Sequence, residues 1–374
     1  MGKNFLVTVL LLASFGQLFF GLFKIFQSGG ILPDLANYYY QSGVNLRQGI
    51  NPYTKLVEPI SYPPPALVLF YLTAFGSLYR VQIIWTWLSF LALLASVVML
   101  SRNRGDAVIF LAFVWLSFPI KFTFGMGQVN HFILLFIVLN YIFYLKRKDI
   151  LSGIFLGLAL LFKPIFVLLI LFFFGRKKTK ILTAALAVFG LGWLASYFVM
   201  DQKIFFSFFP VALPRLVNNF GNNFYYNQSL QAALTRILGT NYLVLVIYFL
   251  LVLVVLVMTF AKIFCYPIKQ SEDRFFQDEL AYSLVLVANL LLTGLTWQHH
   301  LIFLIPPMIV LYRILAKKRS KKLWWFLLGL IYLLLASNIR NPQIFMHTFW
   351  GNLLLSHGTI GVILLWFILS INNR

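Results

Sequence analysis

Acidic residues are scarce in this chain. Nine Asp and Glu occur among 374 residues, against 30 Lys and Arg. All charged residues together make up 10%, where a soluble domain averages about 25%. Cysteine occurs once, as Cys265, which excludes an intrachain disulfide. Walker A, GxSxG, HExxH and Asp-x-Asp patterns are all absent. These absences argue against a built-in ATPase, an esterase-type nucleophile elbow, a zinc protease, and the acid-held metal that nucleotide-sugar chemistry usually needs. No stretch is polar enough or long enough to form a separate soluble domain, and no short-period repeat is visible.

Apolar residues take the vacated space, at 61% of the chain. Long runs such as "LVLVIYFLLVLVVLVMTFAKIF" (243–264) recur from end to end. They predict an all-α polytopic membrane protein and exclude a β-barrel, whose strands alternate over segments of about ten residues. The first run, residues 4–26, exceeds a signal-peptide core of about 7–15 residues and lacks a small-x-small cleavage site, so it is expected to stay as a first helix. The net charge of +21 sits in clusters between apolar runs: "RNR", "KRK", "RKKTK" and "KKRSKK". That is the mark of cytoplasmic loops held by the positive-inside bias and anionic lipid, and it argues against nucleic acid.

Keeping those clusters on one side fixes the expected topology. Residues 27–80 form a first outer loop in which 64–79 is an interfacial helix, and 200–240 form a second outer loop. The segment 150–175 must leave the cytoplasmic side and return, with about 12 residues each way, or ~18 Å at 1.5 Å per residue. Two such half-helices cannot each cross a core of about 30 Å. They meet at "FKP" (162–164), which puts Lys163 below the outer surface, facing protein or a wet cavity. The layout totals twelve crossings in one transmembrane domain, residues 1–374, with both termini inside.

Several polar constellations fall on the outer side. Asp34, in "LPDLANYYY", is read either as a loop carboxylate or helix cap, or as a general base. Its surroundings are dense in Tyr, Asn and Gln, which hydrogen-bond and stack on sugars. Glu58 is the competing base. "SYPPP" (61–65) is a rigid turn that carries Tyr62, a candidate substrate contact. Lys163 is read either as a snorkelling side chain or as a cation for an anionic group. "GQVNH" (127–131) places Gln128, Asn130 and His131 at a helix end, and "WQHH" (297–300) does the same for His299 and His300. The paired histidines lack a third ligand at metal spacing, so one is expected against phosphate or sugar and the other in packing. The loop 215–238 carries Arg215, Asn227, Gln228 and Arg236. "SEDRFFQDE" (271–279) reads as a solvated cytoplasmic face.

Taken in order, "PDLANYYY", "NPY", "YPPP", "GQVN", "GLALLFKP", "NQSLQAALTR" and "TWQHH" resemble glycosyltransferase family 87, a branch of the membrane-embedded glycosyltransferase-C superfamily. The resemblance implies that fold and a hexosyltransferase that uses a polyprenyl-phosphate sugar, with mannose as the family-level expectation. It implies no cofactor, a lipid or glycan acceptor, and a site on the outer face of a bacterial plasma membrane. It assigns the base to Asp34 and places Lys163 near the donor phosphate. Gln128, Asn130, Asn227, Gln228, Arg236, His299 and His300 would line the cavity. The competing class is a secondary transporter or lipid flippase, since half-helices meeting at a charge also occur in transporters. A ligase for diphosphate-linked glycans ranks below both, because the second outer loop has few Arg and no His.

Overall fold

A computed structural model describes residues 30–54, 60–217, 223–264, 273–317, 321–346 and 348–371, together with scattered positions between 8 and 23. The first apolar run therefore lies mostly outside the described residues, as do Glu58 and Cys265. The fold is 83% helical, with no strand among the described residues. The first half contains α1 (Leu35–Tyr40), α2 (Gln41–Arg47), α3 (Pro64–Tyr71), α4 (Leu78–Leu100), α5 (Arg104–Leu116), α6 (Phe118–Met126), α7 (Asn130–Leu145), α8 (Asp149–Phe162), α9 (Leu168–Gly175) and α10 (Thr179–Val199). Then come α11 (Gln202–Ser207), α12 (Leu213–Val217), α13 (Leu230–Leu238), α14 (Tyr242–Phe264), α15 (Asp273–Leu292), α16 (Ile305–Lys317), α17 (Lys322–Ala336), α18 (Phe349–Leu355) and α19 (His357–Ile371).

The chain divides into two compact units. The first holds residues 1–116, 120–164 and 180–218. Within it α7 packs between α4 and α8. Asn140 on α7 donates to the Ser152 carbonyl and hydroxyl at 2.9 Å, and Ser152 Oγ returns a bond to the Asn140 carbonyl. Such polar pairs join helices where no water competes. On the other side of α8, Gly153 and Gly157 present a bare backbone to α10. A Cβ at Gly157 would lie 2.7 Å from the Val188 Cβ and 2.8 Å from the Ala185 carbonyl. The short helices α1, α2 and α3 pack on one another beside this bundle.

The second unit holds residues 117–119, 165–179 and 219–374. Its centre is α15, buried continuously over 280–291 and contacted by α9, α14, α16 and α19. A helix apolar all round belongs in such a position. Asp278 pairs with Arg176 at 3.2 Å and Glu279 with Arg313 at 3.5 Å. This corrects the reading of 271–279 as a solvated face: its last two acids lie on α15 and neutralise arginines from neighbouring helices.

Among the described residues four helices are long and apolar enough to cross a membrane: Leu78–Leu100, Thr179–Val199, Tyr242–Phe264 and Gln298–Lys317. Two bent pairs raise this to six, Arg104–Leu116 with Phe118–Met126 at 67° and Phe349–Leu355 with His357–Ile371 at 63°. The apolar pattern predicts one helix over about 106–122 and one over about 350–370. At the first bend Pro119 follows Phe118 and removes a backbone donor, which disfavours helix just before it. The second bend lies at Ser356, whose hydroxyl is engaged from another part of the chain. The break at Lys163 is where the sequence predicts it: α8 ends at Phe162, Lys163 is extended, and Pro164–Val167 winds as a 3-10 turn into α9. The segment 200–240, expected as a second outer loop, contains the helices α11, α12 and α13. Asp201 caps α11 by accepting from Lys203 N at 2.8 Å and from Ile204 N.

Candidate active site

The start of α1 is fixed from α4, where Gln82 Oε1 accepts from Leu32 N at 2.6 Å. Asp34 follows at the entry of the helix, with 8% exposure. α1 is π-helical, a form that is rare and frequently found at functional sites. Its i→i+5 repeat brings residue 39 toward the same side as residue 34. Tyr39 is buried and stacks on Phe70 at 4.3 Å.

Gln128 reaches Asp34 from the α6–α7 turn. Gly127 has a φ of +70°, a backbone state that favours glycine, and a Cβ there would meet Leu32 and Leu35 Cβ at 2.9 and 2.7 Å. The bare turn lets Gln128 lie against α1. Its Nε2 donates to Asp34 Oδ2. Its Oε1 accepts from Tyr39 at 2.8 Å and stands 3.4 Å from the Tyr62 hydroxyl, while the two phenols lie 3.0 Å apart. Loss of water around both hydroxyls pushes their pKa values up, and the charge of Asp34 adds to this. Both phenols therefore remain O–H donors over any working pH.

Lys163 completes the group. Its ammonium lies over the Tyr62 ring, 5.8 Å from the centroid, with 9% exposure. Asp34 acts electrostatically on that ammonium. Asp34, Tyr62, Gln128 and Lys163 thus converge within one unit. Asn130 is buried at the first turn of α7, and His131 packs on Phe124 at 4.1 Å. Tyr39, the link between Gln128 and Tyr62, was not singled out in the sequence. The "YYY" run offers three candidates, and only the π turn selects the middle one.

The other predicted residues gather in the second unit. Residues 226–228 and 296–298 run antiparallel, with Gln228 N on the Thr296 carbonyl at 2.6 Å and Gln298 N on the Tyr226 carbonyl at 2.8 Å. "NQS" and "TWQHH" are therefore joined through their backbones. Asn227 Oδ1 accepts from Ser229 N at 3.2 Å and Thr296 N at 3.0 Å. Gln228 donates to the Tyr225 and Leu355 carbonyls at 2.6 and 2.9 Å and accepts from Thr359 N. Arg236 donates to the carbonyls of Phe224 and Asn227 at 2.9 Å and to Ser356 Oγ at 3.2 Å. Burial pushes its guanidinium down to about 10, still charged at neutral pH. Each of these three side chains fastens the 223–230 segment to its neighbours. His299 and His300 lie buried in the 3-10 turn Gln298–Leu304, ring to ring at 4.7 Å, with Trp297 stacked on His299. Arg215 donates to the Tyr53 carbonyl at 3.1 Å in the first unit. Among the described residues no three His, Cys, Asp or Glu side chains gather to hold a metal.

The model for glycosyltransferase family 87 matches residues 61–294. The chain belongs to that family. No curated protein and no solved structure matches it. Family 87 membership makes the protein a membrane glycosyltransferase, acting on a sugar donor and an acceptor. The family 87 span includes Tyr62, Gln128, Asn130, Lys163, Asn227, Gln228 and Arg236. Asp34, His299 and His300 lie outside it.

Proposed function

We propose that this family 87 member moves a hexose, mannose by family expectation, from a polyprenyl-phosphate donor to an acceptor hydroxyl on a lipid or glycan. The reaction takes place on the outer face of a bacterial plasma membrane. In the layout of twelve helical passes, the half-helices 149–162 and 164–175 are one leg out and one leg back that meet at Lys163, and the shorter helices 130–145 and 322–336 are among the other crossings. The observation that carries the reading is the meeting of one carboxylate and one ammonium, Asp34 and Lys163, in the interior of one unit of an acid-poor protein.

Asp34 takes the proton of the acceptor hydroxyl as that oxygen attacks the anomeric carbon. The bond to phosphate breaks, and polyprenyl phosphate leaves with the electron pair. A single displacement inverts the anomeric centre. Lys163 stabilises charge developing on the leaving phosphate as a fixed cation. Tyr62, half-buried beneath the Lys163 ammonium, offers a ring face to the sugar. Asn227, Gln228 and Arg236 support the reading as residues that shape the loop beside "TWQHH", since their polar groups are engaged by backbone and Ser356.

The test is Asp34→Asn in purified full-length protein given a radiolabelled polyprenyl-phosphate mannose. Loss of sugar transfer and release by on the order of 1,000-fold, with unchanged abundance and Tm, is the expected result. Transfer at the wild-type rate would remove Asp34 from the role. Movement of the intact lipid across liposomes without sugar release would replace the enzyme by a flippase.

A further inference from the structure

One amide sets the direction of a buried hydrogen-bond chain. A phenol has a single proton to donate. Tyr39 donates to Gln128 Oε1 at 2.8 Å and Tyr62 stands 3.4 Å from the same oxygen, while either phenol can be the donor in the 3.0 Å contact between them. Whichever phenol donates to the other, the chain ends on Gln128 Oε1, and it continues from the other end of the same amide, where Nε2 donates to Asp34 Oδ2. Turning the amide over would set its carbonyl against the carboxylate, lone pair facing lone pair. With Asp34 ionised, one orientation of the amide satisfies every group.

We propose that Gln128 is a positioning residue for the transfer: its amide N–H holds Asp34 as a carboxylate, oriented to take the acceptor's proton. This rests on the reading of Asp34 as the base. In the step itself the acceptor O–H breaks and its proton goes to the Asp34 carboxylate. The new C–O bond forms as the sugar–phosphate bond breaks, and the phosphate leaves with the electron pair. Gln128 neither gains nor loses a proton. A donor to the ionised form favours that form, so the Gln128 amide keeps Asp34 ready to accept a proton. The titratable groups facing Asp34 are the Tyr39 and Tyr62 phenols and the Lys163 ammonium. Sequence motifs place Gln128 among the residues lining the cavity. Here its carbonyl is turned to the phenols and its amide nitrogen to Asp34, which suits support of the base better than contact with a sugar.

The test uses the full chain in lipid nanodiscs, with Gln128→Leu, Tyr39→Phe and Asp34→Asn. Without substrate, infrared difference spectra follow the Asp34 carboxyl band, assigned by its loss in Asp34→Asn. With radiolabelled polyprenyl-phosphate mannose, kcat, KM and the pH profile are measured. In Gln128→Leu the band is expected to persist to higher pH, because a donor to the ionised form is gone. The acid limb of kcat moves the same way, and kcat at neutral pH falls roughly 10- to 100-fold from misplacement of the base. The donor KM stays unchanged. Tyr39→Phe keeps the ring stacked on Phe70 and shifts the band and acid limb less, in the same direction; it decides the matter should Gln128→Leu fail to fold. A raised donor KM with the band and acid limb unmoved would make Gln128 a substrate contact and overturn the proposal. So would an unmoved band in Tyr39→Phe and in any folded Gln128→Leu. If Asp34→Asn keeps full transfer, the base itself is wrong; if Asp34→Asn is inactive while the band does not move, only the positioning role fails.

Discussion

Two residues of opposite charge explain each other's burial in the first unit. An isolated ammonium or carboxylate in an apolar interior costs several kcal/mol, and a partner of opposite sign offsets part of that cost. Asp34 acts electrostatically on Lys163, whose ammonium lies over the Tyr62 ring. In the second unit Arg236 has a different role. Its N–H groups meet two loop carbonyls and Ser356 Oγ, all closer than 3.3 Å, which makes it a clasp for the 223–230 segment. Removing it strands several buried acceptors. Arg236→Met should therefore destabilise the protein by about 2–4 kcal/mol, each bond to a charged donor being worth roughly 1.5–3 kcal/mol. Thermal unfolding in detergent should show a clear loss of Tm that scales with the protein's, not the substrate's, binding. A stable Arg236→Met protein with a raised donor KM would instead make this side chain a phosphate contact.

At the scale of elements, small residues and breaks decide where helices approach and stop. Gly157 lets α8 lie against α10, whereas Gly190 on α10 has open space where a Cβ would go. The same substitution should then act with opposite sign at the two sites. Gly157→Ala forces contacts near 2.7 Å and should cost about 1–3 kcal/mol through overpacking. Gly190→Ala meets nothing and should gain up to about 1 kcal/mol from helix propensity. Paired melting curves of the two variants read this directly; equal shifts would mean that α8 and α10 do not pack through Gly157. The break at Lys163 follows the same logic. Pro164 has no N–H to continue α8, and the extended residue before it is the lysine that reaches Tyr62.

At the scale of the whole molecule the question is which segments face which side of the membrane. The long helices Thr179–Val199 and Tyr242–Phe264 are only 17% buried, as expected of lipid-facing spans. The proposed topology puts Thr54 outside and Lys177 inside, and both residues are exposed. In a Cys265→Ser background, Thr54→Cys should react with a membrane-impermeant maleimide in intact cells. Lys177→Cys should react only after lysis. The reverse pattern would move the proposed active site to the cytoplasmic face.

The sequence by itself determined the class of this molecule. Hydropathy alone demanded membrane helices, ordered motifs named the family, and arithmetic on the 150–175 segment located the break at Lys163. It could do so because chain length, apolar runs and proline act locally. Only the tertiary structure decided what the polar side chains do. Asn227, Gln228 and Arg236 look like ligands in a string of letters, yet they hold backbone segments, because their partners lie dozens of residues away in 294–298 and 355–359. Tyr39 was hidden in a run of three tyrosines until a π turn singled it out. Gln128 was visible as a polar residue at a helix end. Its orientation depends on two phenols and a carboxylate converging in space, and hydrogen-bond direction is a property of that convergence.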